Sequence, residues 1–472
     1  MERHASRRRE YVWFAAILVT MSPLLLTLCR AMWQTAYPIS ETVALLEEAD
    51  KGSLLALLDA SARSWYRPLY HLTWYVLWHG TGSLDAALIW FRCLELASIA
   101  VLVMLFVWHL RPRTVIDGAA ATFAVAVLVG TPGFRDNLEL PLLMTLVGMP
   151  LALIVWMLLE RDSRWWHAPV ILALTLIAIG YKEQGLVIAP LVVAAWWTGA
   201  PGASRTTTAL VAASVVAYLA VRLATSGSWH PFEQDVGLGF SRLSAAEASA
   251  RFGASPVWMY AYNAASTAAN ILFSEPTDGR FRIVWDVSRG QADPWEINHV
   301  VSSIVLTGLI VWWGLGALKR VAGRPWSVEA RVFVATVLAV AASGALGFNY
   351  SRDRLGGIAV VFYAVAAYFA MRAAGERVAR ASPARMVAAG SALLLLAGAW
   401  HIRALGTIDY VRVMSASTQI QWITGLQAQR ADFADRPTYL RIMEAMAEQG
   451  LDPSSAQGTS YPRWARVWFG EP

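Results

Sequence analysis

Apolar runs recur along the whole chain, separated by short polar tracts. They cover Tyr11–Cys29, Ala86–Leu110, Asp117–Thr131, Pro141–Leu159, His167–Gly180, Gly185–Trp197, Thr206–Thr225, His299–Leu318, Val332–Leu346, Leu355–Met371 and Met386–Ile402. A run of about 17–25 residues is long enough to cross a bilayer as a helix. Helices satisfy their own backbone hydrogen bonds in lipid, and these long Leu/Ala/Val runs are unlike the ~10-residue alternation of an outer-membrane barrel. The pattern predicts an all-α polytopic integral membrane protein, a bundle of about eleven transmembrane helices with loop helices on one face. His167–Gly180 and Gly185–Trp197 are short, so both are expected to stop below the surface around a water-filled cavity. Pro256–Phe273 is read as interfacial or partly re-entrant, because counting it as a span moves Lys319, Arg320 and Arg324 to the wrong side of the charge rule.

Composition agrees. Of 472 residues, 57% are hydrophobic and only 15% charged, where a soluble domain carries about 25% charge. A soluble enzyme is excluded. The net charge of +6 does not point to nucleic acid, because the arginines sit in tracts between spans, which is a topology signal. Arg3, Arg7, Arg8 and Arg9 precede the first run and place the N-terminus in the cytoplasm. That run is too long for a signal peptide and no small-residue cleavage site follows, so it is read as an uncleaved span. Residues 1–402 are then a membrane module with outer loops at 33–67 and 226–298, and 403–472 a small helical domain on the outer face, with the C-terminus periplasmic. Cys29 and Cys93 form no disulfide framework and no metal-ligand spacing. The 23 Trp fit interfacial belts and packed helix faces.

The outer tracts carry the informative charges, since charge at membrane depth is costly and marks functional cavities. They hold Glu41 and Arg67; Arg135, Asp136 and Glu139; Lys182 and Glu183; and Arg352, Asp353 and Arg354. In 36–71 the acids Glu47, Glu48 and Asp50 read as the solvated face of a helix over Thr42–Leu58. Glu41 is either a general base or a first-turn helix acid. Arg67 is a phosphate ligand or a snorkelling interfacial residue, Lys182–Glu183 a phosphate contact or a structural ion pair, and Arg354 a phosphate ligand or a plain loop charge. His71 reads as a packed or interfacial side chain. No Rossmann fingerprint, P-loop or DxD triplet is present, and the histidines show no zinc-ligand spacing. No cofactor and no metal are called for.

The sequence YRPL at Tyr66–Leu69 lies 25 positions after Glu41 and leads into the aromatic helix HLTWYVLWHGTG. YKEQGLVIAPL follows at Tyr181–Leu191, and Asp353-Arg354 opens a later span. In order and topology from Tyr11 to about Arg372, this pattern resembles the GT-C superfamily of polytopic glycosyltransferases, nearest the bacterial relatives of the TPR-bearing O-mannosyltransferases. The resemblance implies a transferase in the bacterial inner (plasma) membrane, taking a sugar from a polyprenyl-phosphate donor to a hydroxyl of a glycan, lipid or protein acceptor on the periplasmic face, with inversion. It implies Glu41 as the base, where the family usually has Asp, and Arg67, Lys182 and Arg354 as donor-phosphate ligands. Tyr66, Glu139, Glu183 and Asp353 would support them. A different class, a transporter or flippase for a lipid-linked or amphipathic solute, uses the same polar bundle. It would often show repeated halves, and none is evident. A non-catalytic scaffold is a third reading.

Overall fold

The computed structural model describes residues 2–35, 39–55, 67–139, 146–226, 236–238, 241–253, 257–274, 282–321, 323, 325–349 and 351–450. Each apolar run becomes helix within these residues. Among the described residues, seven helices are long and apolar enough to cross a membrane: Arg9–Trp33, Leu84–Leu110, Arg205–Ala224, Pro294–Leu318, Val328–Leu346, Asp353–Val378 and Pro383–Val413. An eighth span forms if Val115–Gly130 and Pro132–Leu138 count as one, bent by 56°. Gly148–Leu159 and His167–Tyr181 are apolar but shorter. The multi-pass architecture therefore stands. Two of the apolar runs are interrupted locally. Thr131 is extended between two helices, and Lys182, also extended, ends the 167–181 helix.

The helix Gly357–Val378 is the hub. From Gly357 to Tyr368 every side chain is buried, and its neighbours are the 115–130, 328–346 and 294–318 helices. Its Gly, Ala and Val residues keep the surface shallow, which lets helices approach closely in lipid. The helices at the periphery keep apolar residues exposed, among them Val12, Val19, Leu26, Val216, Leu394 and Leu395. Water would penalise these positions and lipid does not.

A second apolar cluster sits at one end of the bundle. It joins the helices Ile39–Lys51, Pro68–Thr81 and Pro437–Gly450, through Val43, Leu46, Tyr70, Ile442 and Met443. Trp74 stacks on Phe91 at its centre with ring centroids 4.1 Å apart. The expected boundary at 402–403 falls inside one unbroken helix, Pro383–Gln429, and Arg403 is fully buried in the bundle.

The acids of 39–51 depart from the expected solvated face. Glu47 is buried and receives both Arg436 Nε at 3.1 Å and Lys51 Nζ at 2.6 Å. Asp50 accepts Trp78 Nε1 at 3.0 Å. Only Glu48 of the three is exposed. The reason is non-local: the 437–450 helix, almost four hundred residues later in the chain, covers that face. Val257–Phe273 is not among the candidate spans. It packs on 328–346 and 294–318. Val236–Leu238 and Ser241–Leu243 pair as a short antiparallel hairpin.

Candidate functional site

Four polar tracts distant in sequence meet at the end of the bundle nearest the second cluster. They are Arg67 at the start of the 68–81 helix, the helix Pro132–Glu139, the 3₁₀ turn Glu183–Val187 and the 3₁₀ turn Asp353–Gly356. We call this the convergent end.

The 183–187 turn is forced by its neighbours. Lys182 adopts an extended conformation, and its carbonyl accepts the Gly185 N–H at 2.9 Å. Gly185 then lies against the 167–181 helix so closely that a Cβ there would meet the Ala178 carbonyl carbon at 2.4 Å. Only glycine fits. Glu183 turns inward and takes the guanidinium of Arg67 as a fork, Nε to Oε2 at 3.1 Å and Nη2 to Oε1 at 2.9 Å. Two parallel charge-assisted bonds are the strongest geometry available to this pair. Burial pushes the Glu183 carboxyl upward, but Arg67 and Lys182 outweigh it and hold it down at about 2. Thr73 and Tyr181 join the same two elements through their hydroxyls, 3.0 Å apart.

The second joint is the backbone of Arg354. Its N–H donates to Asp136 Oδ2 at 2.8 Å, and its carbonyl accepts from Gln184 Nε2. Residues 136, 184 and 354 are thereby tied through one peptide segment. The 132–139 helix reaches it because Gly133 has no side chain. A Cβ there would stand 2.9 Å from Val360 Cγ1 and 3.1 Å from the Asp353 carbonyl oxygen. Asp353 is held from the other side by Asn270 Nδ2 at 2.9 Å.

Asn270 belongs to a row on the 257–273 helix. Asn263 Nδ2 donates to the Phe348 carbonyl and Thr267 Oγ1 to Ser351 Oγ, both at 3.1 Å. Positions 263, 267 and 270 recur at helical spacing and so share one face. That face reads the backbone and side chains of 348–353 in order. A third buried group lies nearby. Arg403 Nη1 donates to Ser303 Oγ at 2.7 Å, Ser302 Oγ at 2.9 Å and the His299 carbonyl at 3.1 Å, and Nη2 to the Gly130 carbonyl at 3.2 Å. Arg135, also buried, lies over the Tyr410 ring at 4.3 Å.

The structure thus brings Arg67, Lys182, Glu183, Asp353 and Arg354 to one end, with Lys182 only 3% and Arg354 7% exposed. They are packed groups, not loop charges in water. Arg67 engages Glu183 rather than standing at an open interface. Glu183 pairs with Arg67, which comes from the start of the 68–81 helix. Glu41 lies in the first turn of the 39–51 helix, and Glu139 ends the 132–139 helix; both side chains, and all of Tyr66, lie outside the described residues. His71 is half-buried, its Nδ1 3.6 Å from Glu48 Oε2. Sequence reasoning missed Gln184, Asn270 and the joint at the Arg354 backbone. The signal for Asn270 was present, as a polar row at positions 263, 267 and 270 within an otherwise apolar helix.

Among the described residues no group of three His, Cys, Asp or Glu is placed to hold a metal ion. Among the described residues, this end gathers Arg67, Arg135, Lys182, Arg354 and Arg403 together with Asp136, Glu183 and Asp353. A search of known protein families, of curated proteins and of solved structures finds no match to this chain.

Proposed function

We propose that the chain is a GT-C-like glycosyltransferase, moving a sugar from a polyprenyl-phosphate donor to an acceptor hydroxyl at the convergent end. The observation that carries this reading is the gathering of buried cationic side chains there, Arg135, Lys182, Arg354 and Arg403. Charge at membrane depth is costly and marks functional sites, and such a cluster suits an anionic phosphate entering from the lipid. Donor phosphate falls to Lys182 and Arg354. Arg67, already forked onto Glu183, fixes the 183–187 turn and adds to the positive field. Glu41 takes the acceptor proton. The acceptor oxygen bonds to the anomeric carbon, the bond from that carbon to the phosphate oxygen breaks, and the electron pair leaves with the lipid phosphate, inverting the centre. Stabilising that developing charge lowers the barrier. In this reading the protein lies in a bacterial inner membrane with the convergent end facing the periplasm.

The test uses purified full-length protein in liposomes with a polyprenyl-phosphate sugar and a short-chain alcohol acceptor. Release of lipid phosphate with stoichiometric glycoside is expected, and Glu41→Gln should lower it at least a hundredfold while insertion and thermal unfolding stay unchanged. Movement of intact donor between leaflets without sugar release would replace this reading by a transporter. Full turnover by Glu41→Gln would remove Glu41 as the base.

A further inference from the structure

At the opposite end of the bundle a cavity of about 310 Å³ opens between the helices Glu2–Trp33 and Leu84–Leu110. Its walls are aromatic. Trp108 stands tilted against Tyr11 at 5.6 Å and edge-on to Phe14 at 5.8 Å between ring centroids. Its mouth carries Arg111 and Arg161, from two different connections. Neither makes an ion pair among the described residues, and two neighbouring acids are committed to other arginines. Glu10, which also lines the mouth, takes Arg113 Nε at 2.8 Å, and Glu160 takes Arg331. The 84–110 helix ends with Arg111 at φ 47° and ψ 55°, the left-handed conformation that glycine usually fills at a helix C-terminus. A long cationic side chain stands where none is needed to end the helix.

Both walls belong to helices long and apolar enough to span a membrane, and the mouth lies where both reach the same end. A cavity at that depth, with Tyr11, Phe14 and Trp108 on its wall and Arg111 and Arg161 in its lining, matches an amphiphile whose anion faces the arginines. Free phosphate would gain nothing from the aromatic wall, whereas aromatic rings at helix ends are favoured at the headgroup level of a bilayer. We propose that this cavity binds an anionic phospholipid, its phosphate between Arg111 and Arg161 and the start of an acyl chain against Trp108 and Phe14. The site is separate from the convergent end and stands whatever reaction occurs there.

Arg111→Gly suits the test, because glycine accepts φ 47° and the fold is expected to keep or gain stability. The experiment is native mass spectrometry of the full-length protein released from nanodiscs of phosphatidylcholine containing a minor fraction of phosphatidylglycerol. One retained phosphatidylglycerol per chain is expected. Arg111→Gly with Arg161→Gln should lower its occupancy at least tenfold, with thermal unfolding unchanged. Arg320→Gln with Arg385→Gln removes equal charge from exposed positions outside the cavity and should leave occupancy intact. Trp108→Ala should weaken retention of the lipid but not of inorganic phosphate. Equal losses in the two arginine pairs, or displacement of the lipid by millimolar inorganic phosphate, overturn the proposal.

Discussion

The two ends of the bundle manage positive charge differently. At the end with the phospholipid cavity, Asp117, Glu10 and Glu160 each meet an arginine. Thr114 and Asp117 form a capping box, and Asp117 also pairs with Arg372 at 3.0 Å. Glu10 pairs with Arg113, and Glu160 with Arg331 in a buried contact. Other arginines at this end, among them Arg164, Arg320, Arg380 and Arg385, are exposed, where water or headgroups solvate them. At the convergent end Arg135, Lys182, Arg354 and Arg403 are buried. Solvated surplus charge sets orientation in a membrane. Buried charge costs stability and is retained where packing or a site requires it. The contrast therefore separates solvated charge from charge built into the bundle.

The sharpest way to break this contrast is to compare the two buried forks. Glu183→Gln strands Arg67, and Glu160→Gln strands Arg331. Each is expected to cost about 3–5 kcal/mol, because an uncompensated buried cation remains. Thermal unfolding in detergent measures both. Their consequences for turnover should differ. Per folded molecule, Glu183→Gln is expected to lower donor-lipid release at least tenfold and Glu160→Gln to leave it within twofold. Equal effects on turnover would erase the distinction between the ends. Acid sharpens the same point. The Glu183 carboxyl is lowered from 4.5 to about 2, so the fork's contribution is complete above pH 4.5 and is lost as pH falls through about 2. Glu183→Gln should remove this acid-sensitive component of the unfolding curve.

How far these features were legible in the sequence follows from their range. Spans were legible because apolarity is local and continuous. The breaks at Thr131 and Lys182 were not, since they depend on what packs beside them. The convergence of Lys182-Glu183 with Asp353-Arg354 was anticipated from charged residues in short tracts on a shared side. Pair identities were not, because Arg67 and Glu183 lie 116 positions apart. Glu47 looked solvated because nothing near it in sequence reveals the helix that covers it. The use of the Arg354 backbone, in place of its side chain, as a joint leaves no sequence trace.

Smaller losses should come from the contacts that hold the 349–357 turn. Asn270→Ala removes the donor to the buried Asp353 carboxylate and is expected to cost about 1–3 kcal/mol, the usual penalty for a stranded buried acceptor. Gly133→Ala forces a methyl toward the Asp353 carbonyl oxygen and should cost about 1–3 kcal/mol through overpacking. Both displace the same turn, so their effects should be less than additive in the double variant, as measured by thermal unfolding. Full additivity would mean that 132–139 and 257–273 hold 353 independently.

The smallest effect belongs to the other end. Arg113 is 56% and Glu10 25% exposed at the side chain, against 18% and 11% for Arg67 and Glu183. Exposed pairs gain little over hydration, so Arg113→Gln should cost about 0–1 kcal/mol. That remainder should shrink further in 1 M salt, where screening reaches a Debye length of about 3 Å. The Arg67–Glu183 fork, shielded from ions by its burial, should lose little in the same salt. A salt titration of unfolding on wild type, Arg113→Gln and Glu183→Gln reads both predictions together. If the Arg113 pair proved as costly to break and as indifferent to salt as the buried fork, exposure would not be what distinguishes the two ends. Charge balance alone would then have to carry the difference between them.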